Sequence, residues 1–537
     1  MNIKMRFKMY WLAALFIAIL AIAALQHVRA ADPQSARQEN VRQAAVAGGF
    51  YPADPKTLSA MIDDMLAHAS PPPINDPILA VVVPHAGYQF SGSVAAYTYA
   101  ALKGRRFSRV VVIAPSHYEA FDFTSVYEGD AYATPLGIVP VDKAFAKQLL
   151  EMSPTIKFSS QGHAPTAKGA EHALEVQLPW LQRVLGDFEL VPVVMGDQSY
   201  ESSRALGVAL AKLIPGSDTL IVASSDLSHY HPYDEAVRID HKTLNALQAW
   251  DYLSMSRNFE ARIWEACGGA PIVAAMIAAE RMGANQALVL KYANSGDTTG
   301  DHSRVVGYSA DVFLKTQSGK AAVEPQFSLT GHEKNELLAL ARKSAEYAVR
   351  ERKAYEPTAS ASEVLNEERG AFVTLRKSGE LRGCIGYTSA EKPLYMTVRD
   401  TATLAALRDP RFQPVSTVEL PQLEYEISVL SPLRRVQDIR TIKVGQHGLL
   451  MKNGAYEGLL LPQVPVEERW GRQRFLEETC AKAGMRSGCW KDENTDIFMF
   501  TAVVFGENKP QALMLETPLP PGLAARPGEP APGLPPH

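Results

Sequence analysis

Cysteine is nearly absent from this chain. The first of only four stands at Cys267, followed by Cys384, Cys480 and Cys489. Four are too few for a disulfide framework in 537 residues, and a chain of this length needs none. Cys480 and Cys489 lie close enough in sequence to pair in an oxidising compartment. Sequence gives no geometry for such a bond, and two free thiols are the expectation. An excess of either charge is also missing. Lys and Arg number 54 against 58 Asp and Glu, a net of −4, so no general pull toward nucleic acid or an anionic membrane follows. No Walker loop or Gly-x-Gly-x-x-Gly stretch follows a strand, which argues against nucleotide use. A His-Glu-x-x-His motif and a Gly-x-Ser-x-Gly elbow are absent too, which weakens a hydrolase reading. There is no internal repeat.

What is present is a globular composition, 46% hydrophobic and 21% charged, in a length that suits two or three domains. At the N-terminus Lys4, Arg6 and Lys8 precede an uncharged run from Met9 to Leu25, and Val28-Arg29-Ala30 places small residues where a signal peptidase reads. This pattern predicts a secretory signal over residues 1–30, cleaved near Ala30. The alternative is a membrane tether through residues 9–25. Without a cysteine there, a lipoprotein anchor is excluded. Either way the expected location is periplasmic or otherwise outside the cytoplasm.

From residue 45 to 315 apolar strands alternate with helical patterns. The strands are expected at 78–84, 109–114, 190–195, 219–224, 287–292 and 304–313. The helices are expected at 57–68, 92–102, 142–151, 171–185, 201–213, 233–249 and 271–282. This is the signature of an α/β domain with a mainly parallel or mixed central sheet flanked by helices. A polar stretch ending in Pro325 reads as linker, within 316–329. A long helix over 331–352 then opens a smaller α+β domain. Its strands are expected at 370–376, 380–386, 423–430 and 495–504, and its helices near 393–406 and 467–484. The Pro-rich end, 509–537, reads as a disordered tail.

Three apolar strands carry the chemistry. Ile78-Leu-Ala-Val-Val-Val-Pro-His85 and Val110-Val-Val-Ile-Ala-Pro-Ser-His117 each place a histidine just past a strand, and the two strands read as neighbours. Leu220-Ile-Val-Ala-Ser-Ser-Asp226-Leu-Ser-His229 ends in a carboxylate with a histidine three residues on. Ligands bind at the carboxyl ends of such strands. Imidazoles and a carboxylate gathered there point to a metal such as iron, zinc or copper. In Glu171-His-Ala-Leu-Glu175 the two glutamates are expected on one helical face, where like charges need a metal, an arginine or solvent between them. His172 would wall the site, with the glutamates orienting its histidines. Cys267, before a helix expected from Ile272, would gain thiolate character from the helix N-terminus. In the second domain Leu381-Arg-Gly-Cys-Ile-Gly386 presents Cys384 between two glycines, with Arg382, Arg411 and His447 as candidate activators.

Pro84-His-Ala-Gly-Tyr88, Pro115-Ser-His117, the Glu171–Pro179 segment, Ser224-Ser-Asp-Leu-Ser-His229 and Cys267-Gly-Gly-Ala-Pro-Ile272, with Gly48-Gly-Phe-Tyr-Pro52 ahead of them, resemble the motif series of the Memo family over residues 44–315. That family is similar in fold to class III extradiol dioxygenases, which hold Fe(II). The resemblance implies His85, His117 and Cys267 as metal ligands, with His229 as acid/base or substrate contact and Asp226 and His172 beside it. The thiolate would stand where non-haem iron oxygenases use a carboxylate, which also suits copper or zinc. The Leu381–Gly386 segment, Asp409-Pro-Arg-Phe412, Gly458-Leu-Leu-Leu-Pro-Gln463 and Phe475–Gly484 with Trp490-Lys491 resemble the AMMECR family over 330–508. Together the two halves look like the B and A components of the AmmeMemoRadiSam system, which implies a radical-SAM partner. Export would separate this chain from a cytoplasmic partner, so either the N-terminus is retained inside or this version works alone.

The leading expectation is an iron-dependent oxidoreductase of dioxygenase type, acting on an unknown small substrate above His85, His117 and Cys267. The alternatives are an iron- or copper-binding or ligand-binding module without turnover, and a zinc hydrolase with Glu171 or Glu175 as base. Cys384 is a further catalytic candidate.

Overall fold

The computed structural model describes residues 40–216, 218–317 and 327–507. The expected signal or tether, most of the linker and the Pro-rich tail fall outside these residues. Among those described, no helix is long and apolar enough to cross a membrane. The described residues fall into two compact units, 40–317 with 432–434, and 327–431 with 435–507.

The described residues of the first unit form twelve strands. They are β1 (Val41–Arg42), β2 (Ile78–Val83), β3 (Arg109–Pro115), β4 (Thr124–Val126), β5 (Ala131–Thr134), β6 (Gly137–Pro140), β7 (Ile156–Phe158), β8 (Glu189–Met195), β9 (Thr219–Ser224), β10 (His229–His231), β11 (Gln286–Asn294) and β12 (Val305–Leu314). The central sheet runs β10-β12-β2-β9-β3-β8-β4-β7, with β11 on β12. Its middle, β2-β9-β3-β8, is parallel, and β12 joins antiparallel to β2. All six residues of both β2 and β9 are buried, as strands covered on both faces must be. On one face Leu58, Tyr88, Tyr99 and Trp180 pack over the sheet, with the Tyr99 and Trp180 rings stacked at 5.2 Å. The helix Gly269–Arg281 is apolar almost all round and buried along nearly its whole length, as a helix without a polar face must be. It packs tightly on the helix Tyr200–Leu213. At Gly207 a Cβ would come within 2.7 Å of the Ala274 carbonyl, so only glycine fits that crossing.

The structure corrects several expectations. The strands bearing His85 and His117 are not neighbours, because β9 lies between β2 and β3. Residues 171–174 are not helical. The segment opens with a single 3-10 turn at Glu175–Gln177, and the α-helix is Leu178–Leu185. Two causes act there. The Glu171 carboxylate accepts the backbone N–H groups of His172 (2.9 Å) and Ala173 (3.0 Å), an alternative to helical bonding. Pro179 then suits the first turn of the helix that follows. Glu171 and Glu175 therefore share no helical face. The short strands β1, β4–β7 and β10 and the helix Tyr252–Glu260 escaped the sequence reading, being too brief or too polar to show a period.

The second unit is α+β. Strands Glu380–Tyr387, Ala371–Lys377, Leu423–Leu430 and Ala502–Gly506 form an antiparallel sheet in that order. The helices Gly331–Glu351 and Leu394–Leu407 share its apolar core. The first hairpin turns at Ser378-Gly379, both at positive φ (54° and 85°), the conformation that matches strand twist. Strands Gly448–Asn453, Tyr456–Leu460 and Asp496–Phe500 form a second sheet, packed with the helix Arg472–Lys482. The strand expected at 495–504 breaks at Thr501, and its halves enter different sheets. The helix expected at 467–484 is shortened to Arg472–Lys482. Cys480 and Cys489 are joined in a disulfide, against the expectation of free thiols. The turn after the helix folds the chain back, leaving their Cα atoms 5.8 Å apart, within disulfide reach.

Candidate metal centre

β2, β9 and β3 end side by side, and each hands a functional residue to the same sheet edge within two positions of its last residue: His85, Asp226 and His117. Cys267 reaches this edge from the opposite direction, two residues before the buried helix Gly269–Arg281. Its backbone is seated on the β9 loop. The Cys267 N–H donates to the Asp226 carbonyl (3.3 Å), and the Asp226 N–H to the Cys267 Sγ (3.2 Å). Gly268 makes this approach possible, since a Cβ there would lie 2.3 Å from the Ser224 carbonyl oxygen.

One atom each of His85, His117 and Cys267 lie within 4.8 Å of one another, and so do atoms of His117, Glu171 and His172. The His85 Nε2 is 3.1 Å from the Cys267 Sγ. The His85 and His117 rings meet edge-on at 5.2 Å, and the His117 and His172 rings stack at 4.8 Å.

The hydrogen bonds decide which nitrogen of each imidazole carries its proton. Ser224 Oγ donates to the Ala173 carbonyl (2.6 Å), which uses its only proton. It must therefore accept from Gln177 Nε2 (2.8 Å) and from His85 Nδ1 (3.0 Å). His85 is thus protonated on Nδ1, and its Nε2 lone pair faces the thiol. His117 Nδ1 lies 2.9 Å from the Glu171 carboxylate, which only accepts, so its Nε2 is free as well. His229 Nδ1 contacts the Leu227 carbonyl (2.8 Å), which frees a third Nε2.

Burial and neighbouring charges act differently on each group. Burial holds His85 well below its ordinary range, with the His117 charge adding to the effect. Burial also pulls His172 down to about 3, and its Nδ1 has no hydrogen-bond partner. Burial opposes the charge on Glu171, but its bonds from His117 and Ala173 win and hold it near 2. Burial would lower His117, yet its contact with Glu171 keeps it above the usual value. Asp226 is raised by burial although the His85 N–H donates to it at 2.8 Å. Cys267 departs from expectation. Desolvation and the nearby Asp226 push its thiol well above the usual value, outweighing backbone donors at the helix start. Without a bound cation the group is a thiol.

Between Glu171 and Glu175 the compensating charge is an arginine, Arg42. Its guanidinium donates to the His163 carbonyl (2.7 Å) and the Glu171 carbonyl (2.6 Å) and forms an ion pair with Glu175. Glu175 also accepts from Tyr51 Oη (2.5 Å) and from the N–H groups of Ala45 and Val46 (3.0 Å each). It is a scaffold residue, while Glu171 touches His117. Sequence reasoning missed Ser224, Gln177, Gln198 and Arg42. The first two stand inside quoted motifs. Gln198 donates to the Cys267 carbonyl (3.3 Å) and accepts from Ala270, and no pattern marked it or Arg42.

In the second unit the Cys384 N–H donates to Asp409 (2.8 Å), and Thr374 Oγ1 donates to its sulfur (3.3 Å). Of the three candidate activators only Arg411 touches it, through the Cys384 carbonyl (3.3 Å), while paired with Asp409. Arg382 pairs with Glu419, and His447 Nδ1 accepts from the Lys443 N–H. Burial raises the Cys384 thiol, against the hydrogen bond from Thr374 and the charge of Arg411.

The family model of Memo-like proteins matches residues 42–312, and that of AMMECR1 matches 338–505. A MEMO1 family protein of Methanopyrus kandleri is 39% identical over 285 residues, covering 51% of this chain and 99% of the relative. One from Aquifex aeolicus is 36% identical over 275 residues, covering 51% and 99%. A crystal structure of an uncharacterised protein from Pyrococcus horikoshii shares 40% identity, covering 34% of this chain and 96% of that one, with a TM-score of 0.33. This chain belongs to the Memo family and carries an AMMECR1 domain after its Memo-like half.

Proposed function

We propose that the first unit is a metal-dependent oxidoreductase site in which His85, His117 and Cys267 hold a ferrous ion. One observation carries the reading. His85 and His117 each have Nδ1 occupied by a fixed acceptor, which leaves both Nε2 lone pairs free beside a sulfur. Metal-binding histidines are oriented in this way by a partner on the other nitrogen. The donor set also fits, since burial keeps His85 neutral and a cation would compensate the cost of ionising the thiol. Ferrous iron bound there would supply redox chemistry toward oxygen. The chain's own part is to orient and to move protons. His229 would take or return a proton at a substrate hydroxyl, and Asp226 holds the backbone of His85 and Ala86 in place.

A thiol in place of a carboxylate favours a second reading, zinc or copper binding without turnover. Metal analysis of anaerobically purified protein tests both, for the wild type, His85→Ala and Cys267→Ala. Near-stoichiometric iron that falls at least about tenfold in both variants supports the first reading. Zinc or copper retained by the same residues supports the second, and no metal in any preparation sinks both.

We place the chain outside the cytoplasm, a reading that the Cys480–Cys489 disulfide supports. If it is retained inside, a radical-SAM protein is the proposed partner.

A further inference from the structure

Tyr230 sits between His229, which is at the site, and His231. It has a left-handed backbone, φ 64°, a conformation disfavoured for a residue that carries a side chain. A β-bulge causes it. His229 pairs with Val306 and His231 with Val305, so Tyr230 is the extra residue squeezed out of the ladder. Glu265 grips the bulge from both sides, accepting the His229 N–H (3.2 Å) and contacting His231 Nε2 (2.8 Å). Glu265 also belongs to the loop that carries Cys267. The strain is therefore held in place by the site's own scaffold, a pattern found at functional positions.

The bulge does not bury Tyr230. Tyr230 is 61% exposed, although glycine or asparagine would adopt this backbone at less cost. Its ring packs edge-on against His229 at 5.6 Å, and the Arg304 guanidinium lies over it at 5.1 Å. Arg304 is exposed and has no carboxylate partner among the described residues. By contrast, the acids nearer the ligands are engaged, Glu171 with His117, Asp226 with His85 and Glu265 with His231. An arginine placed over an aromatic ring can present its N–H edge outward, the arrangement that grips a carboxylate or phosphate with two parallel bonds.

We infer that Tyr230 and Arg304 form the substrate-recognition element of this site. They select a small organic anion whose carboxylate or phosphate group binds Arg304 while its body passes Tyr230 toward His229. The inference rests on the proposed metal reading for the far end of that substrate.

The test uses the full chain loaded anaerobically with Fe(II) and titrated by calorimetry with benzoate, phenyl phosphate and neutral phenol. The variants are Arg304→Gln and Tyr230→Gly, the latter suited to the left-handed backbone. Metal content is measured in every sample. The wild type is expected to bind at least one anion, and the tighter one identifies the group recognised. Arg304→Gln should weaken that anion about tenfold, ~1.4 kcal/mol, and leave phenol unchanged, while Tyr230→Gly should weaken the anion by a similar factor. Unchanged anion affinity in Arg304→Gln, or no anion binding by the wild type at millimolar concentration, overturns the inference. Protein that carries no metal yet shows the Arg304-dependent affinity would sink the metal reading alone.

Discussion

Asp311 illustrates how far a residue's chemistry departs from its sequence appearance. It is fully buried on β12, with Ser309 donating to Oδ2 (2.8 Å) and Oδ1 unpartnered. Burial pushes its carboxyl up to about 7 from an ordinary 3.8. The folded state thus holds a proton that the unfolded state has released. Its stability contribution is intact below about pH 4, declines as pH rises toward 7, and is flat above. Asp311→Asn should remove up to about 4 kcal/mol of that loss. Urea unfolding at about pH 4.5 and about pH 8 checks this: the variant should gain on the wild type at the higher pH. An equal difference at both would refute it. The site's ligand types were legible in the sequence because each histidine, the aspartate and the cysteine stands beside a strand or helix end. Their protonation states were not, because these depend on Ser224, Glu171 and Leu227, distant in the chain or fixed only by the fold.

At the scale of elements, two contacts position the candidate centre. The first is the crossing of Gly268 over the end of β9. Gly268→Ala would drive a Cβ against the Ser224 carbonyl and displace Cys267, so bound metal should drop severalfold with the far-ultraviolet circular dichroism retained. Full metal occupancy in that variant would show the crossing to be slack. The second is Arg42, which ties β1 to the 163 and 171–175 loops. Arg42→Met leaves Glu175 buried without its cation and should cost about 3–5 kcal/mol by chemical denaturation. Arg42→Met with Glu175→Gln should recover much of that loss. If the double variant is as unstable as the single, packing and not charge explains Arg42. The sequence left a metal, an arginine or solvent open beside the glutamates, because a two-residue strand has too little pattern to single out Arg42.

For the whole molecule, the disulfide offers the clearest test of environment. Closing the short loop from Cys480 to Cys489 should stabilise the second unit by about 2.5 kcal/mol in the chain-entropy view. Cys480→Ser with Cys489→Ser should therefore lower the melting of that unit and leave the first unit unchanged, as read by hydrogen exchange of each. Alkylation of thiols trapped in intact cells would show the pair oxidised if the chain resides outside the cytoplasm. A reduced pair would count against that location.

Sequence alone determined the α/β character of the first unit, the α+β character of the second and the motifs of both families. These are local matters of hydrophobic period, strand length and residue order, which no distant contact has to supply. Only the tertiary structure decided that β9 separates the two histidine strands, that the helix begins at Leu178 and that Cys480 meets Cys489. It alone brought Cys267 to His85 across 182 residues. Strand order, loop closure and burial are set by which surfaces exclude water together, and that is a property of the folded chain.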